Sequence, residues 1–287
     1  LRTFFRYLLI VRGKVEKGTE FNQIDISGVD LELARSVTIT DLYAFMVYCR
    51  EELGNNTATR ARKTSTLRMF FKYLSLNTHQ IDENPAELLE SPKIKQSLPK
   101  HLTLENSIEL LDSVDGEYSE RNYCILVLFL NCGLRLSELC SLNLGSITDE
   151  GTMTVVGKGN KERIVYLNDS CKAALKKYLT VRPNNGIPTA DKNALFISRN
   201  HRRISPKTVQ YIVKNQLEKA GLGGMGFSTH KLRHTAATLM YQHGDVDIRV
   251  LKDILGHANL GTTQIYTHVS DAQIKKAVDS NPLSKVK

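Results

Sequence analysis

Three prolines close together, about a third of the way along the chain, constrain the fold more than any other sequence feature. Pro85, Pro92 and Pro99 lie within a stretch that also carries several basic residues. Proline lacks a backbone N–H and clashes with the preceding helical turn, so a helix cannot continue through such a stretch. We therefore predict a linker over residues 92–102. The 287 residues are enough for two domains around it, each with its own core.

The first predicted domain, residues 1–91, has the pattern of a small helical bundle. Apolar residues recur at three- and four-residue spacing, with basic residues between them, in segments 1–13, 40–53 and 59–74. This period is typical of amphipathic helices that bury one face.

The second predicted domain, residues 103–287, is expected to be mainly helical. Thr103 followed by Glu105 favours a helix start, and the apolar run 123–130 predicts a buried helix that ends at Gly133.

A β-hairpin is predicted within this second domain. In residues 152–167, two β-branched runs flank a turn that places Lys158 between Gly157 and Gly159. The fold class is therefore mainly α with a small β-hairpin, an α+β second domain following a helical first one.

The charge balance favours a polyanionic partner. Lysine and arginine number 39 against 30 acidic residues, a net charge of +9, and both halves of the chain are basic. No apolar run approaches the roughly 20 residues that cross a bilayer, and no signal peptide is visible, so we expect nucleic acid rather than membrane and a cytoplasmic, nucleoid-associated location. The five cysteines form no CxxC pair. They are predicted to be buried thiols rather than disulfides or zinc ligands.

Four short motifs together supply the parts that phosphoryl transfer to a tyrosine needs. Cleaving a phosphodiester requires a nucleophile, positive charge for the non-bridging oxygens and a proton for the leaving oxygen. Tyr266 is the candidate nucleophile, nine positions after His257. A free tyrosine has a pKa of about 10 and so needs a base or a cationic pocket. The motifs are GLRLSE at 133–138, GKGNKER at 157–163, HKLRH at 230–234 and LGHANLGTTQIYTHV at 255–269.

Two arginines are the candidate phosphate ligands. His230 and Arg233 are three residues apart, so on a helix they share one face. Arg135 is the second arginine, and Glu138, one helical turn later, is a candidate to hold its guanidinium in place. The planar fork of arginine can bind two phosphate oxygens at once, whereas lysine acts as a point charge.

Each motif alone has an ordinary structural explanation. Arg135 and Glu138 would form a surface helix pair, and Lys158 would be a solvated turn lysine. His257 would be a capping or core histidine, and Tyr266 a packed aromatic. Their occurrence together in one chain favours a single active site.

In this order, and with ENPAELLESPK at 83–93, the motifs resemble the tyrosine recombinase, or integrase, family, most closely its Xer-like and conjugative-transposon members. The resemblance covers almost the whole chain. It implies a two-domain DNA clamp: a helical, SAM-like core-binding domain over 1–91 without its first helix, a linker, and a catalytic domain with an exchange tail at 271–287. The catalytic residues that it implies are Arg135, Lys158, His230, Arg233, His257 and Tyr266, with Glu138 in support.

The resemblance also implies the reaction and its partners. A site-specific recombinase of this kind proceeds through a 3′-phosphotyrosyl intermediate and a Holliday junction, with neither metal, cofactor nor ATP. Its partners are double-stranded DNA with inverted-repeat core sites and other protomers, either a tetrameric synapse of this chain or one shared with a paralogous recombinase. The candidate DNA contacts are Arg60, Arg62, Lys63, Arg68, Lys93, Lys95, Lys161, Arg202, Arg203 and Lys207.

Two other functions use similar features. A type IB topoisomerase shares the tyrosine chemistry but does not exchange strands between sites. A non-catalytic architectural protein would use the same basic surface, but it has no reason to keep Lys158, His257 and Tyr266 together. Chromosome dimer resolution, phage integration and mobile-element transposition are all compatible with the sequence.

Overall fold

A computed structural model of the chain describes residues 1–94, 100–157, 159–243 and 246–256. The chain divides into two compact units, Leu1–Ser97 and Leu98–Lys287. Several predicted features lie outside the described residues, namely residues 95–99 of the linker with Lys95, Lys158, His257, Tyr266 and the tail 271–287.

The first unit is helical, and side-chain caps fix where three of its four α-helices begin. Its helices are α1 (Arg2–Val11), α2 (Leu31–Arg35), α3 (Ile39–Glu51) and α4 (Thr57–Lys72), the last continued by one π-helical turn. The Thr38 hydroxyl accepts from the Asp41 N–H at the start of α3 while the Asp41 carboxylate accepts from the Thr38 N–H, and Asn56 caps α4. The three helices predicted from periodicity are confirmed, whereas α2 is too short to show a period.

Aromatic rings fill the core of this unit. Phe4, Phe45 and Phe71 are almost fully buried. The Phe4 ring meets Phe45 edge-on with centroids 5.2 Å apart and Phe71 at 6.4 Å, a geometry that aromatic pairs prefer. The assignment of this unit as a core-binding domain stays a prediction.

The second unit is mainly helical with one two-stranded sheet among its described residues, which confirms the predicted fold class. Its elements are α5 (Leu104–Asp112), α6 (Ser119–Cys132), α7 (Leu136–Ser141), β1 (Thr152–Val156), β2 (Glu162–Tyr166), α8 (Asp169–Val181), α9 (Pro206–Lys219), α10 (Thr229–His243) and α11 (Ile248–Leu255). The strands pair antiparallel, with Val155 opposite Arg163. Thr103 caps α5, as its sequence indicates.

Helix α6 is the centre of this unit. Its residues from Cys124 to Leu130 are all buried, and the helix packs against α8 and α10. All five cysteines of the chain are free and buried, as predicted. No helix in the described part of the chain combines the length and apolar character that crossing a bilayer requires.

Candidate active site

A buried carboxylate lies at the centre of the candidate site. Glu138 is 1% exposed, on the first turn of α7, and its Oε2 accepts a 2.7 Å hydrogen bond from the Arg135 backbone N–H. The Arg135 side chain donates to Glu138 Oε1 at 2.6 Å. The predicted pairing of these two residues is therefore present, but the alternative of a solvated surface pair is wrong.

A second arginine binds the same carboxylate. Arg163, from β2, donates through Nη1 to Glu138 Oε1 at 2.7 Å and through Nη2 to Oε2 at 2.9 Å. This paired geometry is the strong form of an arginine–carboxylate contact.

A third arginine completes the cluster. Arg233, on α10, is 3% exposed, and its Nη1 lies 3.8 Å from Glu138 Oε2. The same Nη1 donates to the Gly133 carbonyl at 2.6 Å. The four side chains of this arginine cluster (Arg135, Arg163, Arg233 and Glu138) thus carry three positive charges and one negative charge.

The end of α11 supplies oxygen acceptors for all three arginines. Arg163 Nε donates to the Ile254 carbonyl at 3.2 Å, Arg233 Nη2 to Leu255 at 2.6 Å, and Arg135 Nη2 to Gly256 at 3.0 Å. The last carbonyls of a helix lack partners within the helix and form the negative end of its dipole. The three guanidinium groups donate hydrogen bonds to these carbonyls. The negative end of the helix dipole in turn lowers the free-energy cost of holding three positive charges close together.

Two glycines permit these close approaches. Gly133 and Gly256 end α6 and α11 with left-handed backbones, φ 58° and 63°, which favour glycine. A Cβ at Gly133 would lie 2.8 Å from a Leu255 methyl group, and one at Gly256 would lie 3.0 Å from Arg163 Cδ. A larger residue at either position would push the end of α11 away from the arginines.

The arginines keep Glu138 ionised. Burial alone would raise the pKa of Glu138, but hydrogen bonds from Arg163 and from the Arg135 backbone, with the charge of Arg163, lower it to about 2. The carboxylate therefore stays charged at neutral pH and continues to orient the guanidinium groups.

Two histidines form a pair on α10. His230 Nε2 and His234 Nε2 lie 2.9 Å apart, a hydrogen bond that needs a proton on only one of these nitrogens. Partial desolvation lowers the pKa of His230, and the positive charges of Arg233, Lys231 and Arg135 lower it further. His230 is therefore neutral at neutral pH and able to accept a proton.

Two predicted catalytic residues outside the described part directly follow, in sequence, glycines that lie beside the cluster. Lys158 follows Gly157, at which a Cβ would lie 3.6 Å from Glu138 Oε1 and 4.0 Å from Arg135 Nη1. His257 follows Gly256, whose carbonyl accepts from Arg135. Gly157 and Gly256, the last described residues before these two positions, thus both lie beside the arginine cluster. Tyr266 stays a prediction from the sequence.

Some of the predicted DNA-contacting side chains are exposed, and others already contact groups within the protein. Lys63 lies over the Phe45 ring at 5.5 Å, and Arg203 donates to the carbonyls of Cys140 and Leu142. Arg60 is half-buried. Those that are exposed are Arg62, Arg68, Lys93, Lys161, Arg202 and Lys207.

Sequence reasoning missed Arg163 and His234. Arg163 lies within the motif GKGNKER, but its partner Glu138 is 25 residues earlier, and no local period links the two. His234 is four residues after His230, a spacing that places both rings on one helix face. That signal was available in the sequence. No group of three or more His, Cys, Asp or Glu side chains suited to a metal ion occurs in the described ranges.

The sequence and the fold of the chain are similar to those of known DNA recombinases. The model of the phage integrase family matches residues 100–273. Tyrosine recombinase XerC of Caldanaerobacter subterraneus subsp. tengcongensis is 52% identical over 98% of this chain and 79% of that protein, and tyrosine recombinase XerD of Proteus mirabilis is 36% identical over 84% and 77%. Among solved structures, XerH site-specific recombinase in a post-cleavage complex with palindromic difH substrate has a TM-score of 0.72 at 26% identity, over 97% of this chain and 76% of that one. The chain therefore belongs to the phage integrase family of tyrosine recombinases, enzymes that carry out site-specific recombination by cleaving and rejoining DNA strands.

Proposed function

We propose that the chain cleaves DNA through Tyr266, whose oxygen bonds to the scissile phosphorus while the bond from phosphorus to the 5′ oxygen breaks. The products are a 3′-phosphotyrosyl link and a 5′-hydroxyl. Attack by that hydroxyl, or by one from a second duplex, reverses the step, so the bond energy is conserved and no ATP is consumed. Two such exchanges, through a Holliday junction, complete recombination.

The observation that supports this proposal most strongly is the clustering of positively charged arginine side chains at one site. Three guanidinium groups surround one carboxylate, and a phosphate entering beside them meets an excess of positive charge. In the transition state, charge grows on the non-bridging oxygens, and fixed cations stabilise it most where water is excluded. We assign this role to Arg135 and Arg233, together with His257.

Proton transfer is assigned to two further residues. Lys158 protonates the leaving 5′ oxygen, and its neighbour Gly157 lies beside Glu138. His230 takes the tyrosine proton, which its lowered pKa supports because the neutral ring is the accepting form. The arginines supply the charge that a divalent ion would otherwise bring, so the mechanism needs no metal.

DNA and further protomers are the proposed partners. The exposed basic side chains are suited to phosphate contacts along a duplex with inverted-repeat core sites. Each repeat would bind one protomer, and two duplexes would give a tetrameric synapse, of this chain alone or with a paralogous recombinase. The tail 271–287 has apolar residues at helical spacing, and we assign it to exchange between protomers. Such an enzyme works at the nucleoid, in the cytoplasm.

A suicide substrate tests the proposed function. A duplex recovered by binding selection from random DNA is nicked beside the cleavage position, so that the covalent adduct accumulates and is seen on a denaturing gel. Tyr266→Phe should bind this duplex nearly as the unmodified chain does and form no adduct, because only the hydroxyl is lost. An adduct with Tyr266→Phe would disprove the assignment. Cleavage without transfer to a second duplex would indicate a topoisomerase, and no adduct with the unmodified chain would indicate a non-catalytic binder.

A further inference from the structure

Arg163 holds the β1–β2 hairpin to two helices at once. Its two Nη groups bind both oxygens of Glu138 on α7, and its Nε donates to the Ile254 carbonyl at the end of α11. One planar side chain therefore fixes three elements with three hydrogen bonds.

Near its turn the hairpin is held by Arg163 on β2 and, directly opposite, by Val155 on β1, which is buried in the core. Of the five residues in β2, Val165 is buried and Arg163 is half-buried, while the other three are exposed. Val165 lies farther from the turn than Arg163 does. The turn itself is closed by the Gly157 N–H donating to the Lys161 carbonyl at 2.7 Å, a contact within the hairpin. Arg163 thus adds polar contacts to α7 and α11 at the turn-side end of β2, beside the apolar packing of Val155.

Arg163 is poorly placed to bind DNA itself. Each of its three nitrogens already donates a hydrogen bond to a protein oxygen, and both Glu138 carboxylate oxygens are among the acceptors. Its effect on a phosphate must therefore pass through the groups that it holds.

We propose that Arg163 is a positioning residue for strand cleavage, which fixes the turn of the β1–β2 hairpin beside Glu138 and the end of α11. Lysine cannot replace it, because a single ammonium group cannot bind both carboxylate oxygens and the Ile254 carbonyl in this fixed planar arrangement. A hairpin that moves by about 1 Å is enough to slow the reaction on the order of 100-fold. This inference rests on the proposed function, because the hairpin turn carries Lys158.

The test compares two leaving groups. The nicked duplex is made with either a natural 5′ oxygen or a sulfur at the bridging position, and sulfur leaves without protonation. If Arg163 positions the hairpin, Arg163→Lys should slow covalent trapping on the oxygen substrate on the order of 100-fold and recover most of that loss on the sulfur substrate. The ratio of the two rates does not depend on the folded fraction, so a destabilised variant still gives a result. Arg163→Gln provides the same ratio if Arg163→Lys does not fold.

Two control variants separate the possible outcomes. Arg182 is also buried and donates to the carbonyls of Leu195 and Ala194, away from the arginine cluster, so Arg182→Lys should lower the melting temperature but leave the ratio unchanged. Lys158→Ala should show the sulfur rescue if Lys158 is the acid. The positioning role alone would be overturned by either of two results. In the first, the sulfur substrate restores the trapping rate of Lys158→Ala but not that of Arg163→Lys. In the second, Arg163→Lys traps the oxygen substrate at the unmodified rate. Failure to rescue Lys158→Ala would instead count against the proposed proton transfer.

Discussion

The two units of the chain hold their interiors together in different ways. The core of Leu1–Ser97 is aromatic and uncharged where Phe4, Phe45 and Phe71 meet, and its basic side chains lie mostly at the surface. The second unit buries a charged cluster around Glu138. Burying like charges is expensive, and apolar residues of similar volume often give a more stable protein. The cluster is therefore better explained by chemistry than by stability, and the following predictions test that difference.

The largest expected effect is on the stability of the aromatic core. Phe71→Ala should destabilise the first unit by about 3–5 kcal/mol, because it leaves a cavity where a fully buried ring stood. Hydrogen exchange in the whole chain, followed separately in α4 and α6, measures this. Protection should fall in α4 while α6 changes little. Equal losses in both helices would show that the two interiors are not independent.

The next effect is on catalysis. Arg135→Ala should slow covalent trapping by about 100- to 1,000-fold, the cost of losing a donor that stabilises transition-state charge. DNA binding, measured by gel shift, should change far less. Arg62→Ala is the matched control, an exposed arginine whose loss should weaken binding and leave the rate of trapping by bound enzyme unchanged. If Arg135→Ala weakens binding and cleavage equally, Arg135 is an ordinary phosphate contact.

Acid should weaken the second unit specifically through Glu138. Its pKa in the folded chain is about 2, below the ordinary value of 4.5, so its contribution is present above pH 4.5 and is lost as the pH falls toward 2. The loss should amount to at most about 3.4 kcal/mol. Glu138→Gln should be less stable at pH 7 but show a flatter decline of melting temperature between pH 4.5 and 2. Parallel declines in the two proteins would show that Glu138 does not carry this dependence.

The smallest effect is a shift in the pH dependence of cleavage. If His230 accepts the tyrosine proton, the rate of covalent trapping should rise with pH through the pKa of His230, below the ordinary value of 6.5. Lys231→Met removes one of the nearby positive charges, so the inflection should move upward while the plateau rate is retained. An inflection that does not move would assign the titration to another group.

The sequence predicts the parts of this molecule that depend on neighbouring residues. The periodicity of apolar residues predicts the main helices, and Thr103 predicts the start of α5. The three-residue spacing predicts the pairing of Arg135 with Glu138. Arg163 could not be found in this way, because its contact with Glu138 exists only once the hairpin docks on α7. The acceptor carbonyls at the end of α11 could not be found either, since every residue has a carbonyl and only the fold decides which are exposed to arginines.

The most direct measurement is a structure of the chain bound to an uncleaved duplex, with Tyr266→Phe used to stop the reaction. We predict that the scissile phosphate lies against Arg135 and Arg233, that Arg135 gives up the Gly256 carbonyl for a phosphate oxygen, and that Arg163 keeps both of its bonds to Glu138. A scissile phosphate bound elsewhere, with the arginine cluster unchanged and out of contact with DNA, would contradict it.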